Sequence, residues 1–124
     1  MSKYLHNIVY KTTNTVNNKI YIGVHSTNNL NDGYLGSGKT LKLAFKKYGI
    51  KNFKRDILFD VENTELAYFI EYFLVNDKFI NRKDTYNLVV GGSGLGASYL
   101  EDYKYTKELI KIAKNLIKRT FLWI

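Results

Sequence analysis

Two short strand-like runs near the N-terminus, separated by turn-forming residues, constrain the fold of this chain more than any other feature. The runs are NIVYKTT, which begins at Asn7, and KIYIGV, which begins at Lys19. Both are rich in β-branched and aromatic residues, which favour strands, and NTVNNK between them is typical of a turn. The sequence therefore predicts a β-hairpin in which Tyr10 and Tyr21 could project from the same face of the sheet.

The segments that follow predict alternating helices and strands. KTLKLAFKKYG has apolar residues at helical spacing, and Gly49 would end that helix. NFKRDILFDV alternates from Phe53 to Phe59, which favours a strand. NTELAYFIEYFLVND carries a helical apolar stripe behind a cap at Asn63 or Thr64. TYNLVV then predicts a further short strand.

Composition limits the function classes. The chain has 124 residues, of which 45% are hydrophobic, and this suits one compact domain. Its net charge of +8 favours a polyanionic partner, nucleic acid before an anionic membrane. The absence of cysteine excludes a disulfide scaffold, a thiolate nucleophile and a thiolate zinc site. With no apolar run of about 18 residues and no signal sequence, we expect a protein of the cytoplasm of a bacterial or phage-infected cell, with no membrane partner.

The C-terminal quarter differs from the rest of the chain. GGSGLGAS contains four glycines within six residues and predicts a boundary near Gly96. We therefore expect a domain over 1–96 and a basic amphipathic helix within 97–124. That helix would need cover for its apolar face and for the terminal FLWI, either from the domain or from a second copy in a homodimer. The expected apolar face comprises Leu109, Ile112, Ala113, Leu116 and Ile117, and the expected exposed lysines are Lys107, Lys111, Lys114 and Lys118.

The stretch GYLGSGKT, from Gly33 to Thr40, matches the phosphate-loop pattern G-x-x-x-x-G-K-[ST]. That motif works where a buried strand delivers the loop and a helix begins at the Lys-Thr pair. Here STNNLND precedes Gly33 in place of a strand, and the remaining chain is too short for a parallel sheet. We therefore expect no nucleotide hydrolysis. Either Lys39 faces solvent at an ordinary helix start, or this helix N-terminus holds a nucleic-acid phosphate.

Several motifs resemble the GIY-YIG nuclease family, in particular its phage-type and homing-endonuclease members. IVY at residues 8–10 and YIG at residues 21–23 are separated by ten residues. A glutamate follows in ELAYFIEYFLV, a YN pair stands at residues 86–87, and DGYLGSG precedes KKYGIKNF. The resemblance covers about residues 7–92. It implies an α/β (α+β) fold, with a small three-stranded antiparallel sheet flanked by helices, and metal-dependent cleavage of DNA.

The resemblance also implies catalytic roles. Tyr10 would take a proton from the attacking water and Tyr21 would be its hydrogen-bonding neighbour, although the two roles could be exchanged. Glu71 would hold Mg²⁺ or Mn²⁺, and Asn87 would support the site. Taken singly, each tyrosine could equally be a packed aromatic, Glu71 a residue at the rim of the core, and Asn87 an amide near a turn.

Other residues would contact the DNA. His25 is either an ordinary polar residue or a donor to a phosphate oxygen and a proton shuttle. The residues expected to bind DNA phosphates are Gly23, Tyr34, Lys39 and Lys42. The chain departs from the family pattern in having Ile8 in place of glycine. It also has no arginine between Gly23 and Lys54, which leaves His25, Lys39 and Lys42 to neutralise the transition state. The alternative function is a catalytically silent nucleic-acid-binding or protein-interaction module.

Overall fold

A computed structural model describes residues 3–92, 94–95 and 103–120 of the chain. The described part has a mixed α/β fold built on a three-stranded antiparallel sheet, as the sequence predicts. The strands are His6–Asn14 (β1), Ile20–Thr27 (β2) and Phe53–Val61 (β3), and the helices are Lys39–Tyr48 (α1), Thr64–Leu74 (α2), Asp77–Ile80 (α3) and Tyr103–Arg119 (α4).

The predicted hairpin forms the centre of the fold. The sheet order is β2-β1-β3, so the first strand lies between the other two. Tyr10 pairs with Gly23, and Thr12 pairs with Tyr21. Because paired residues of antiparallel strands share a face, both tyrosines project from the same side of the sheet. The predicted common face is confirmed.

A β-bulge divides β3 into two parts, and odd-numbered residues before and after it lie on opposite faces of the sheet. Val9 pairs with Phe59, whereas the next residue of β1, Tyr10, pairs with Ile57. The extra residue is Leu58, and it reverses the alternation of side chains beyond it. Phe59 therefore lies on the face opposite Phe53, although the sequence continues its alternation across this point.

The sheet is covered on both faces. On one face, α2 and α4 pack over the larger of two apolar clusters, and on the other face α1 packs over the smaller one. The larger cluster contains Val9, Ile20, Ile22, Phe59, Leu66, Ala67, Phe69, Ile70, Leu74, Val75, Phe79, Leu109 and Ala113. The smaller cluster contains Leu41, Ala44, Phe53 and Tyr86, with Tyr21, Leu35, Phe45 and Tyr48 packed against it.

The helix ends follow the predicted local signals. The Asn63 side chain accepts a hydrogen bond of 2.8 Å from the backbone N–H of Leu66, and so caps α2. Gly49 ends α1 with a φ of 86°, a conformation that favours glycine. Both helices therefore begin and end close to the predicted residues.

The TYNLVV segment is not a strand, and this prediction is wrong. Its pairing with β2 is one isolated parallel bridge between Thr85 and Ile20. The next pairing position is taken by the side chain of Asn87, which bonds to both backbone groups of Ile22. Since a side chain replaces the backbone ladder, the chain leaves the sheet there, and residues 88–90 are exposed.

The amphipathic helix near the C-terminus is confirmed as α4, which packs on α2. Leu109 and Ala113 are buried in the larger cluster, with Leu116 and Ile117 partly buried beside them. Ile112 is 41% exposed, so its predicted place on the buried face is wrong. The four predicted lysines are exposed. Gly96 and the terminal FLWI lie outside the described residues, so the domain boundary stays a prediction.

None of the helices within the described residues is both long enough and apolar enough to cross a membrane.

Candidate active site

A cavity of about 210 Å³ opens where the start of α1 meets α2 and the segment after Thr85. It brings together a phenol, a helix N-terminus, a lysine, a carboxylate and a buried amide. These are groups that could bind a phosphodiester and a cation at the same time. The lining residues are Tyr21, Gly38, Lys39, Thr40, Glu71 and residues 86–91.

Glu71 of α2 places one carboxylate oxygen against protein and leaves the other open. Its Oε1 accepts a hydrogen bond of 2.8 Å from the backbone N–H of Gly92. Among the described residues, Oε2 has no hydrogen-bond partner. Burial raises the pKa of this carboxyl, and the bond from Gly92 offsets only part of that effect. A half-buried carboxylate with a free oxygen is suited to a cation.

The glycine pair after the cavity is a feature that the sequence interpretation missed. A side chain at Gly91 would collide with the carbonyl of Glu71, and Gly92 has a φ of 84°. The Gly91 N–H also donates to the carbonyl of Val75 at 2.7 Å. The sequence interpretation treated these glycines as part of a flexible boundary. They instead hold the chain against α2 and orient the carboxylate.

The two tyrosines expected to be catalytic lie next to each other, with Tyr21 lining the cavity and Tyr10 behind it. The ring centroids of Tyr10 and Tyr21 are 6.2 Å apart. A Cβ atom at Gly23 would lie 2.5 Å from the Tyr10 hydroxyl oxygen, so β2 can pass this close to Tyr10 only with glycine here. Burial, followed by the neighbouring Tyr21 and Tyr34, raises the pKa of Tyr10 far above its ordinary value. Burial also raises the pKa of Tyr21.

The ring of Tyr21 lies close to two glycines of the stretch GYLGSGKT. A Cβ atom at Gly36 would collide with the Leu41 side chain and lie 3.1 Å from this ring, and one at Gly38 would lie 3.0 Å from the ring. Gly33, the first glycine of the phosphate-loop pattern, has a φ of 76°, which favours glycine. Gly38 is the N-cap of α1 and Lys39 is exposed, which agrees with an ordinary helix start, while phosphate binding there stays a prediction. The loop thus wraps an aromatic ring, and no strand of the described sheet leads into it.

His25 belongs to a cluster that joins β2, the loop and β3. Its Nε2 lies 2.6 Å from Asp32 Oδ2, and its ring stacks on Tyr34 with centroids 3.9 Å apart. Tyr34 in turn meets the Tyr10 ring edge-on at 5.9 Å. Arg55 of β3 donates to Asp32 and to two loop carbonyls. Sequence alone assigned no role to either residue, since Asp32 stands in the DGYLGSG stretch without a partner nearby in sequence and Arg55 lies in none of the quoted motifs.

Asn87 bonds through its side chain to the backbone of β2, and its Oδ1 also accepts a hydrogen bond of 3.1 Å from the Thr85 hydroxyl. Its Oδ1 accepts from the Ile22 N–H at 2.9 Å, and its Nδ2 donates to the Ile22 carbonyl at 2.8 Å. The amide is buried and ties the wall of the cavity to the strand that carries Tyr21. A supporting role of Asn87 in a reaction stays a prediction.

The structure gathers the predicted residues into two connected groups. Tyr21, Lys39, Glu71 and Asn87 line the cavity. The ring contacts connect His25, Tyr34 and Tyr10 to Tyr21, and Gly23 lies under the Tyr10 hydroxyl. Lys42 does not line the cavity but borders an adjoining groove on α1 with Lys39 and Lys46. The described residues contain no group of three or more His, Cys, Asp or Glu side chains able to share a metal.

Comparison with known proteins adds relatives from Enterobacteria phage T4. Over 92 residues, 74% of its length, the chain is 51% identical to "Putative endonuclease segD". It is 56% identical over 85 residues to "Putative endonuclease segB", and 51% identical over 89 residues to "Endonuclease segA". This chain is a homologue of phage proteins named as endonucleases. It spans 38% to 40% of the length of these three relatives. No family model and no solved structure matches the chain.

Proposed function

We propose that the chain is a metal-dependent DNA endonuclease of the GIY-YIG type, which hydrolyses phosphodiester bonds at the cavity beside Glu71. The proposal rests on one observation. Tyr21, the N-terminus of α1 and Glu71, whose carboxylate has one oxygen bonded to Gly92 and one available, line the same cavity. The names of the phage relatives support the reaction class. A net charge of +8 supports a polyanionic substrate.

The residues present are compatible with one magnesium or manganese ion. Glu71 offers a free oxygen at a cavity large enough for a hydrated ion, and Mg²⁺ commonly keeps several waters on one or two carboxylates. When bound there, the ion would polarise the scissile phosphate, stabilise the leaving oxygen and favour an ionised phenol nearby.

Tyr10 and Tyr21 have different roles in this proposal, because they differ in exposure. Tyr21 lines the cavity, which supports its hydroxyl as the group that would contact the attacking water or a phosphate oxygen. Tyr10 is 1% exposed and lies behind it, where it holds the position of Tyr21. The sequence left these two roles exchangeable. Burial raises the pKa of Tyr10 far above its ordinary value, which opposes its ionisation and supports Tyr21 as the group at the water.

The start of α1 would bind the phosphate. The first backbone N–H groups of a helix point along its axis and carry partial positive charge, which favours an anion. Gly38, Lys39 and Thr40 present this end of the helix to the cavity. The exposed Lys39 and Lys42 would add charge along the DNA backbone. Arg55 does not replace the missing family arginine, since its guanidinium is bound to the loop.

A plasmid-nicking assay tests the proposal. The chain should convert supercoiled plasmid to nicked or linear DNA in Mg²⁺ or Mn²⁺, and addition of a chelator should stop the reaction. ATP should be neither required nor hydrolysed. If the protein binds DNA but never nicks it with any divalent metal, the silent-module function replaces the nuclease. ATP turnover that depends on Lys39 and Thr40 would contradict the interpretation of the glycine loop.

A further inference from the structure

Arg55 directs every hydrogen bond of its guanidinium at one short loop. Nη2 donates to the Leu30 carbonyl at 2.6 Å, and Nη1 donates to the Tyr34 carbonyl at 2.7 Å and to Asp32 Oδ1 at 3.3 Å. The Arg55 side chain is only 9% exposed. An arginine with this many fixed partners is unsuited to meeting a substrate, but its planar fork holds several acceptors at once. It therefore anchors the loop to β3.

Asp32 connects Arg55 to the imidazole of His25. One carboxylate oxygen meets Arg55, and the other lies 2.6 Å from His25 Nε2. Burial opposes ionisation, but hydrogen bonds from His25 and from the Tyr34 backbone N–H outweigh it, so the pKa of Asp32 lies well below its usual value. An ionised carboxylate only accepts hydrogen bonds, so His25 must hold a proton on Nε2. This leaves Nδ1, which has no partner among the described residues.

Tyr34 fixes the same imidazole from its face. The two rings are nearly parallel, with an interplanar angle of 9°. Both backbone polar groups of Tyr34 are hydrogen-bonded. Its carbonyl accepts a hydrogen bond from Arg55, and its N–H donates one to Asp32 at 3.1 Å. The Asp32 carboxylate therefore fixes the position of His25 Nε2, and the Tyr34 ring fixes the plane of the imidazole.

We propose that Arg55 and Asp32 are positioning residues for the reaction, which together hold His25 with Nε2 as the bound donor and Nδ1 free to accept a proton from the attacking water, after which its N–H can donate to a phosphate oxygen. The inference rests on the proposed nuclease function, and it adds two residues to which the sequence assigned no role. A carboxylate that fixes one histidine nitrogen in order to present the other is a device that many hydrolytic sites use.

The test combines a signal from the histidine nitrogens with cleavage kinetics. In wild type, ¹⁵N spectra at neutral pH should show His25 protonated at Nε2. Asp32→Asn should convert His25 to a mixture of tautomers and lower kcat by roughly 100-fold, the effect of a small misplacement, with little change in KM. Arg55→Lys should lower kcat in the same way, because lysine cannot reach three acceptors, while thermal unfolding shows that the chain still folds.

Matched controls exist within the same chain. His6 and Asp60 form a pair of the same length, 2.6 Å, and Asp60→Asn should change the His6 signals while leaving those of His25 and cleavage unaltered. Arg82, paired with Asp84 at 2.6 Å, gives the control Arg82→Lys.

The outcomes separate the two proposals. If wild type nicks DNA and Asp32→Asn matches it in kcat, or if the His25 tautomer is unchanged in folded Asp32→Asn, the positioning role is refuted. An equal loss of activity in Asp60→Asn would also refute it, since the effect would then be general. If wild type never nicks DNA, the nuclease function fails, and the nitrogen signals still decide whether Asp32 fixes the ring.

Discussion

At the scale of single residues, Gly23 shows how a backbone position determines the geometry of the site. Because the Tyr10 hydroxyl lies where a Cβ atom would stand, Gly23→Ala must displace a side chain that is 1% exposed. Such overpacking costs about 1–3 kcal/mol of the free energy of unfolding. We predict that Gly23→Ala lowers the stability by this amount in chemical denaturation, and lowers cleavage more than DNA binding because Tyr10 supports Tyr21.

Val24→Ala is the control for the Gly23 prediction. Val24 is the next residue of β2 and packs into the larger cluster on the opposite face, so its truncation lowers stability without touching Tyr10. If both variants lose cleavage in proportion to stability, then the close contact at Gly23 has no special place in the site.

The raised pKa of Glu71 predicts a stability that depends on pH. Below the unfolded-state pKa of about 4.3, the carboxyl is protonated in both states and costs nothing. Between that pH and the higher folded-state pKa, wild type loses stability as pH rises, because the carboxyl ionises more readily in the unfolded chain than in the folded one. In a chelator, Glu71→Gln should therefore have the higher melting temperature at neutral pH, with a difference that shrinks towards pH 4. A difference independent of pH would contradict the buried carboxyl.

The sequence supports only some of these residue-scale statements. The common face of Tyr10 and Tyr21 follows from strand alternation, which is a local property. Arg55 could not be assigned a role in this way, since its partners lie 21 to 25 residues earlier along the chain. Glu71 was predicted from family resemblance. The bond from Gly92 that orients it depends on a left-handed glycine, which sequence alone does not reveal.

At the scale of elements, the start of α1 is where we expect the DNA backbone to be held. Lys39→Ala should weaken DNA binding and reduce the slope of log affinity against log salt by about 0.9, the value for one phosphate contact on duplex DNA. Titrations at several salt concentrations measure this slope. Lys51→Ala is the control, as Lys51 is equally exposed but lies in the short 3₁₀ turn Ile50–Asn52, away from the cavity lining. Equal slopes for the two variants would remove α1 from the interface.

The elements were predictable where their signals are local. The hairpin, α1 and α2 each carry propensity and capping signals within their own sequence, and all three form. The bulge at Leu58 and the departure of residues 85–90 from the sheet were not predictable in this way. Both depend on which strand lies alongside, and in the second case on one asparagine side chain that replaces backbone pairing.

At the scale of the whole molecule, α4 contributes buried side chains to the larger apolar cluster, which also covers one face of the sheet. Leu109 is 4% exposed within the larger cluster, so Leu109→Ala should lower the free energy of unfolding by about 2–5 kcal/mol. Ile112→Ala, at a position 41% exposed on the same helix, should cost much less. Denaturant unfolding compares the two. Similar losses for both would mean that α4 does not pack as described. The homodimer stays a prediction, and sedimentation of the wild type would test it.

The central claim is that Glu71 holds the ion that makes this chain a nuclease, and the most direct test is cleavage by Glu71→Gln. The change keeps side-chain volume and the bond from Gly92, but it removes the charge, so the fold should survive. An ion's stabilisation of the transition state is worth several kcal/mol, and each ~1.36 kcal/mol is tenfold in rate. Single-turnover plasmid cleavage in Mg²⁺ should therefore fall by at least about 100-fold, while metal-free DNA binding holds and the exposed control Glu62→Gln cleaves like wild type. Cleavage by Glu71→Gln at the wild-type rate would contradict the account.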